Sequence, residues 1–242
     1  MELHHHPAKE HKLKEYLLEG LMIFIAVTMG FFAESLRENM TNREKEHAYI
    51  SSLIGNLQND KTNLIAVINI NKKKLDDLDS VLNLSDKDLN DIKTRQKLYS
   101  YVNIIGQMEG FTSTDATMLQ LKNSGGLQYI KHAHIADSIA LYDMAMRDIK
   151  SAEAPYGKSV EKGFDAASLL LVFHDATATA KRKGLPDAKK YPILTKDVTK
   201  LAMFFNTIGL ERGWTENYIR NLKEVQPYNT RLIELLKKEY DE

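Results

Sequence analysis

The sequence contains no cysteine, which excludes disulfide scaffolds, thiolate zinc sites, iron–sulfur clusters and cysteine nucleophiles. Proline is scarce, with 5 in 242 residues, and none occurs between Pro7 and Pro155. Long helices are the expectation for such a stretch, because nothing removes backbone donors or fixes φ inside it. A surplus of charge is also missing: Lys and Arg together number 33, as do Asp and Glu. No basic excess is available to neutralise phosphates, so a nucleic-acid partner is not expected. Runs of alternating strand residues are absent as well. What is present is an ordinary globular composition, 43% hydrophobic and 27% charged, interrupted by one apolar segment.

Residues 16–33 read YLLEGLMIFIAVTMGFFA, with Glu19 as the single charge and Glu34 directly after. A full membrane span takes about 20 residues, and a run of about 10–14 also suits a buried helix or a signal sequence. Cleavage as a signal peptide after Ala33 would put Phe31 where a small residue is wanted. A short transmembrane anchor, with Tyr16, Leu17 and Leu18 extending it, fits better. Lysines precede the segment and arginines follow it, so charge does not orient it strongly. A short tail inside and the bulk outside is the plainer arrangement, which in a bacterium means an inner-membrane anchor and a periplasmic body.

The apolar pattern continues past the segment as heptads. One line runs Glu19, Ala26, Ala33, Met40, His47, Ile54, Lys61, Ile68, Leu75, Leu82. A companion line runs Met22, Met29, Leu36, Arg43, Ile50, Leu57, Leu64, Asn71, Leu78. Sustained a/d spacing of this kind is the coiled-coil signature, and an Asn on the seam is the residue type that fixes register. Two readings stay open: self-association, or packing of the stripe on the protein's own later helices. Ala26, Gly30 and Ala33 form a small-residue face that would let helices approach closely in lipid. Glu19 shares that face, pointing to partner helices or sitting hydrated at headgroup level. The expected interface of a homo-oligomer therefore comprises Glu19, Ala26, Gly30, Ala33, Ile50, Ile54, Leu57, Leu64, Ile68, Asn71 and Leu75.

Beyond Leu82 the pattern predicts further helices. Ser85 is the expected N-cap of one reaching about Ile105, ended by Gly106 and Gly110. A short helix beginning near Thr112 or Ser113 stops at Gly125-Gly126 in the manner of a C′ glycine. A longer one runs from His134 to about His174, broken or kinked at Pro155 and Gly157. Residues 176–192 read as a loop. Two helices follow, about 196–210 and 214–240, the second kinked at Pro227. The fold class is all-α: a polar His-rich tail over residues 1–15, a transmembrane helix over 16–35, a coiled-coil-like stalk over 36–83, and a helical-bundle body over 84–242.

Three stretches carry a family likeness. The first is MELHHHP followed by Glu19-Gly20-Leu21-Met22, Ala26-Val27, Gly30-Phe31 and Ala33-Glu34. The second is Tyr49-Ile50-Ser51-Ser52-Leu53, leading to Leu57 and Asp60. The third is Phe111, then Leu121-Lys122-Asn123-Ser124-Gly125-Gly126-Leu127, with Leu141-Tyr142 beyond. In these the chain resembles a large, functionally uncharacterised family of single-pass membrane proteins abundant in Bacteroidetes. The resemblance touches roughly the first 145 residues. It implies an N-terminal anchor and an α-helical body, and it brings no reaction, ligand or catalytic residue.

Chemical constellations are few. His4-His5-His6 with His11 reads as a titratable tail, since consecutive exposed imidazoles lack the enforced geometry of a metal site. His132 and His134, if both helical, would diverge by about 200° and could not chelate together. His47 and His174 read as structural. Gly125-Gly126 has neither the preceding strand nor the Gly-Lys-Ser/Thr of a phosphate loop. Asp76-Asp77 are neighbours on a solvated helix. The basic runs Lys72-Lys73-Lys74, Lys181-Arg182-Lys183 and Lys189-Lys190 read as solvated surface, with a lipid-facing role open for the 181–190 loop. No cofactor, metal or catalytic residue is assigned, and an enzyme is not expected. The expectation is a self-associating scaffold or accessory subunit of an envelope complex, in contact with the lipid bilayer. Alternatives are a transport, ion-conducting or motor-type subunit using Glu19, or a ligand-sensing helical domain.

Overall fold

A computed structural model describes residues 10–101, 104–172 and 191–240. The described chain is all-α. Helix α1 spans Glu10–Leu82, α2 Ile92–Ser100, α3 Ala116–Asn123, α4 Ala133–Ser168 and α5 Val198–Tyr240. A short 3₁₀ turn, Gly126–Tyr129, lies between α3 and α4. At about 1.5 Å per residue the 73 residues of α1 extend for about 110 Å.

Helix α1 has two halves with different surroundings. Every side chain from 13 to 40 is exposed, large apolar ones included. From Glu46 onward the same helix is one member of a three-helix bundle with α4 and α5. Side-chain bonds fix the directions. Asp60 pairs with Tyr142 and Asn71 with Tyr156, so α4 runs parallel to α1. Glu46 pairs with Tyr240, and Lys74 with Glu211, so α5 runs antiparallel. The stalk expected over residues 36–83 is therefore not separate from the body. Its larger part is the first helix of the bundle.

The heptad seam is real, and one of its two lines is displaced. Ile50, Leu57, Leu64, Asn71 and Leu78 are buried as expected. The other central line is Glu46, Leu53, Asp60, Val67, Lys74 and Val81, all buried. Ile54 and Ile68 flank it and are buried too, while His47 and Lys61 are exposed and Leu75 is half-buried. Charged residues at every second position of the true line hide it from a search for apolar spacing.

Several local expectations change. Asp91, not Ser85, caps α2, its carboxylate accepting the Thr94 amide at 3.0 Å. Helix α3 starts at Ala116. After its C-cap Ser124, Gly125 has φ +67°, the left-handed conformation that suits glycine at C′. Pro155 does not break α4, which buries Tyr156, Val160 and Gly163 beyond it. The two helices expected over 196–240 are one. Ile208, Glu211, Thr215 and Tyr218 keep a continuous buried face across Gly213, and Pro227 lies within the same helix. The loop expected at 176–192 lies mostly outside the described residues. Its flanks are tied by Tyr99, whose hydroxyl accepts the Val172 amide at 3.0 Å and donates to the Pro192 carbonyl at 2.7 Å.

Glycines test the packing. A Cβ at Gly163 would stand 1.9 Å from a Glu211 carboxylate oxygen, whereas at Gly55 it would meet nothing within 4 Å. Gly163→Ala is expected to lose about 1–3 kcal/mol through overpacking. Gly55→Ala gains about 0.5–1 kcal/mol through helix propensity alone. Thermal unfolding followed by far-UV circular dichroism checks the opposite signs.

Candidate functional site

The polar residues of the buried α1 line define three levels along the bundle, two heptads or about 21 Å apart. At the level nearest the exposed half of α1, Glu46 Oε1 accepts the Lys131 amide at 2.7 Å and the Tyr240 hydroxyl at 2.5 Å. One carboxylate thus ties the entry to α4 and the end of α5 to α1. The His47 ring meets Tyr240 edge-on, with centroids 5.5 Å apart.

At the middle level, Asp60 is only 2% exposed. Its Oδ1 accepts the Thr114 amide at 2.6 Å, and its Oδ2 accepts the Tyr142 hydroxyl at 2.8 Å. Asn229 donates from Nδ2 to the Leu57 carbonyl at 2.9 Å and to the Tyr142 oxygen at 3.3 Å. Burial, and then the Asp60 charge, push the Tyr142 phenol well above its ordinary pKa. Both Asp60 oxygens are engaged, so this carboxylate is a bracket for the segment before α3 rather than a free base.

At the level farthest from the exposed half of α1, Asn71 donates to the Val67 and Glu109 carbonyls, both at 2.9 Å, and its Oδ1 accepts the Tyr156 hydroxyl at 2.7 Å. Tyr156 stacks on Tyr218 with centroids 4.9 Å apart. The Lys74 ammonium lies 2.7 Å from Glu211 Oε1, donates to the Gln107 carbonyl, and sits 5.2 Å from the Tyr156 ring centre. Burial pulls Lys74 below its usual pKa and pushes Glu211 above its own, and each partner opposes the other's shift. Burial also raises the Tyr156 phenol to about 12. Tyr218 donates to Glu153 at 3.1 Å and accepts the Phe111 amide at 2.8 Å.

Beside the middle level a cleft of about 400 Å³ opens between α1, residues 111–115, α3 and α4. Leu53, Leu57, Met118 and Met146 give it an apolar lining. At its rim Lys122 reaches both Asp143 oxygens at 3.0 Å, and Arg147 approaches the same carboxylate at 3.5 Å. The arrangement can bind and position.

The chain matches no model of a known protein family, no curated protein and no solved structure.

The expected interface residues divide in two. Glu19, Ala26, Gly30 and Ala33 lie on the exposed half of α1. Ile50, Ile54, Leu57, Leu64, Ile68 and Asn71 are buried against the protein's own helices, and Leu75 packs half-buried beside them. Within the single chain these seven are already covered by its own helices. Lys74, expected in a solvated basic run, is 3% exposed. Its position three residues after Asn71, on the same helix face, is the signal that could have located it. His132 is the non-helical N-cap of α4, and its ring centre lies 5.7 Å from that of His134, so the divergence expected of two helical residues does not apply. Among the described residues no group of three His, Asp or Glu side chains is placed to hold a metal. The side chains of His4, His5, His6, His11 and His174, and the basic runs at 181–183 and 189–190, lie outside the described residues.

Truncating one member of the buried ion pair leaves the other charged and uncompensated. Glu211→Ala is expected to cost about 3–5 kcal/mol, and Lys74→Met with Glu211→Leu to recover most of it. Tyr142→Phe strands one Asp60 oxygen and costs about 1–3 kcal/mol. Urea unfolding of the three variants measures these differences.

Proposed function

We propose that this protein is a membrane-anchored helical bundle acting as a scaffold or accessory subunit of an envelope complex. The observation that carries the reading is the exposed half of α1. Residues 13–40 contain one helix segment long and apolar enough to cross a membrane, and none of its apolar window is buried by the protein. About a dozen large apolar side chains there, Leu17, Ile23, Phe24 and Phe31 among them, stand more than half exposed. At roughly 1.5–3 kcal/mol each, leaving them in water forfeits on the order of 20–30 kcal/mol, more than the net stability of a typical domain. A soluble helix of this length would not keep such a face wet. The family resemblance supports the same anchor.

In this reading the body stands off the bilayer. From Ala33 to Met40, before Thr41 and Asn42 become half-buried, α1 covers about 10 Å as a single exposed helix. That stretch is a spacer of mixed charge, clear of the headgroups and open to partner proteins. The bundle's seam is filled from within, so copies associate through the small-residue face of Ala26, Gly30 and Ala33 in lipid. The anchor lies in a bacterial inner membrane, with the body on the periplasmic side.

Carbonate washing and detergent fractionation test the anchor. The full chain is expected in the membrane pellet and a chain lacking residues 1–40 in the soluble fraction. Recovery of the full chain as a soluble monomer without detergent would refute the reading. Native mass measurement in nanodiscs tests the association, with Gly30→Leu expected to shift oligomers to monomers while the truncated body stays monomeric.

A further inference from the structure

A second cleft lies at the far end of the molecule from the apolar segment, along the turn joining α1 to α2, residues 193–196 and the first turns of α5. Its volume is about 500 Å³. It is separated from Ala33 by the remaining length of α1, about 74 Å, so whatever enters it comes from solution and not from the anchoring membrane.

Arg95, on α2, lines this cleft, and its Nε is buried without a hydrogen-bond partner. Buried donors in folded proteins are almost always paired, so a guanidinium left partly unsatisfied beside a cleft has donor capacity to spare for an acceptor. Charge points the same way. Lys87 and Lys196 line the cleft with Arg95, while the acidic lining residue, Asp88, has its Oδ1 occupied by the Asn90 amide and side chain at 2.8 and 2.9 Å. Asp88 keeps its charge, so the ionic lining residues are three cations against one carboxylate. The remaining lining mixes polar residues with apolar ones, Leu89, Leu201 and Phe205 among them. A guanidinium fork matches the paired oxygens of a carboxylate or phosphate, and the apolar wall suits an organic group attached to it.

We propose that this cleft binds a small organic oxyanion, a carboxylate or phosphate monoester on an apolar body, with Arg95 as the head-group ligand and Lys196 at the rim. The site is independent of the cleft beside Asp60 and of the membrane reading.

Isothermal titration of the full chain in nanodiscs, with empty discs subtracted, tests it using phenyl phosphate, benzoate and inorganic phosphate. Saturable binding of phenyl phosphate or benzoate is expected, at least about tenfold tighter than inorganic phosphate, and weakened about tenfold or more by Arg95→Gln. Lys196→Glu, on an exposed position, is expected to weaken it as well without moving the thermal unfolding midpoint, and it carries the test if Arg95→Gln disturbs folding. Absence of saturable binding for both organic probes would overturn the proposal. So would wild-type affinity in folded Arg95→Gln, wild-type affinity in Lys196→Glu, or inorganic phosphate binding as tightly as phenyl phosphate.

Discussion

Glu46, Asp60, Asn71 and Lys74 are buried polar side chains on one helix, and each finds its partners in one alignment of α1 with α4 and α5. An apolar seam alone leaves the alignment degenerate. Leu53, Leu57, Leu64 and Val67 would meet apolar neighbours again after a slip of one heptad. The polar levels would not. A slipped bundle would leave a carboxylate at the first two levels and an ammonium at the third buried without partners, each costing several kcal/mol. The register of the whole body follows from that penalty.

The same levels organise the segments between helices. Asp60 holds the Thr114 amide, Asn71 the Glu109 carbonyl and Lys74 the Gln107 carbonyl. The chain between α2 and α3 is thereby fastened along α1 at three heights, although much of it has no regular structure. Tyr218 takes the Phe111 amide from the opposite side. Backbone groups that would otherwise be stranded in a partly buried connection are satisfied by side chains of the bundle. Gly163 belongs to the same arrangement, since its missing Cβ is what gives Glu211 room to meet Lys74.

The helical class and the exposed apolar segment were legible in the sequence because both rest on local properties: scarce proline, and one uninterrupted apolar run. The burial of Ile50, Leu57, Leu64 and Asn71 was legible from spacing. What covers them was not. A heptad shows that a face is buried and is silent on whether the covering helix belongs to the same chain. Glu46, Asp60 and Lys74 escaped for a different reason. A charged residue on a helix is normally solvated, and only its tertiary partners reveal the exception. The breaks expected between residues 210 and 214 and at Pro155 erred in the opposite direction, since a continuous buried face carries the helix through both. Arg95 had no signal at all, being one of three cations on the short helix α2.

One consequence follows from α1 passing without interruption from its exposed half into the core. Successive residues of a helix are turned by about 100°. The side of the apolar segment that bears Gly30 is consequently locked in azimuth to the side of the body that bears Glu46. One residue added between them would swing the two faces apart by about 100°, whereas seven would restore their phase to within about 20° and lift the body by about 10 Å. Height and heading are geared together by a single screw, so the length of the stretch between them sets both how far the body stands from the apolar segment and which way it faces.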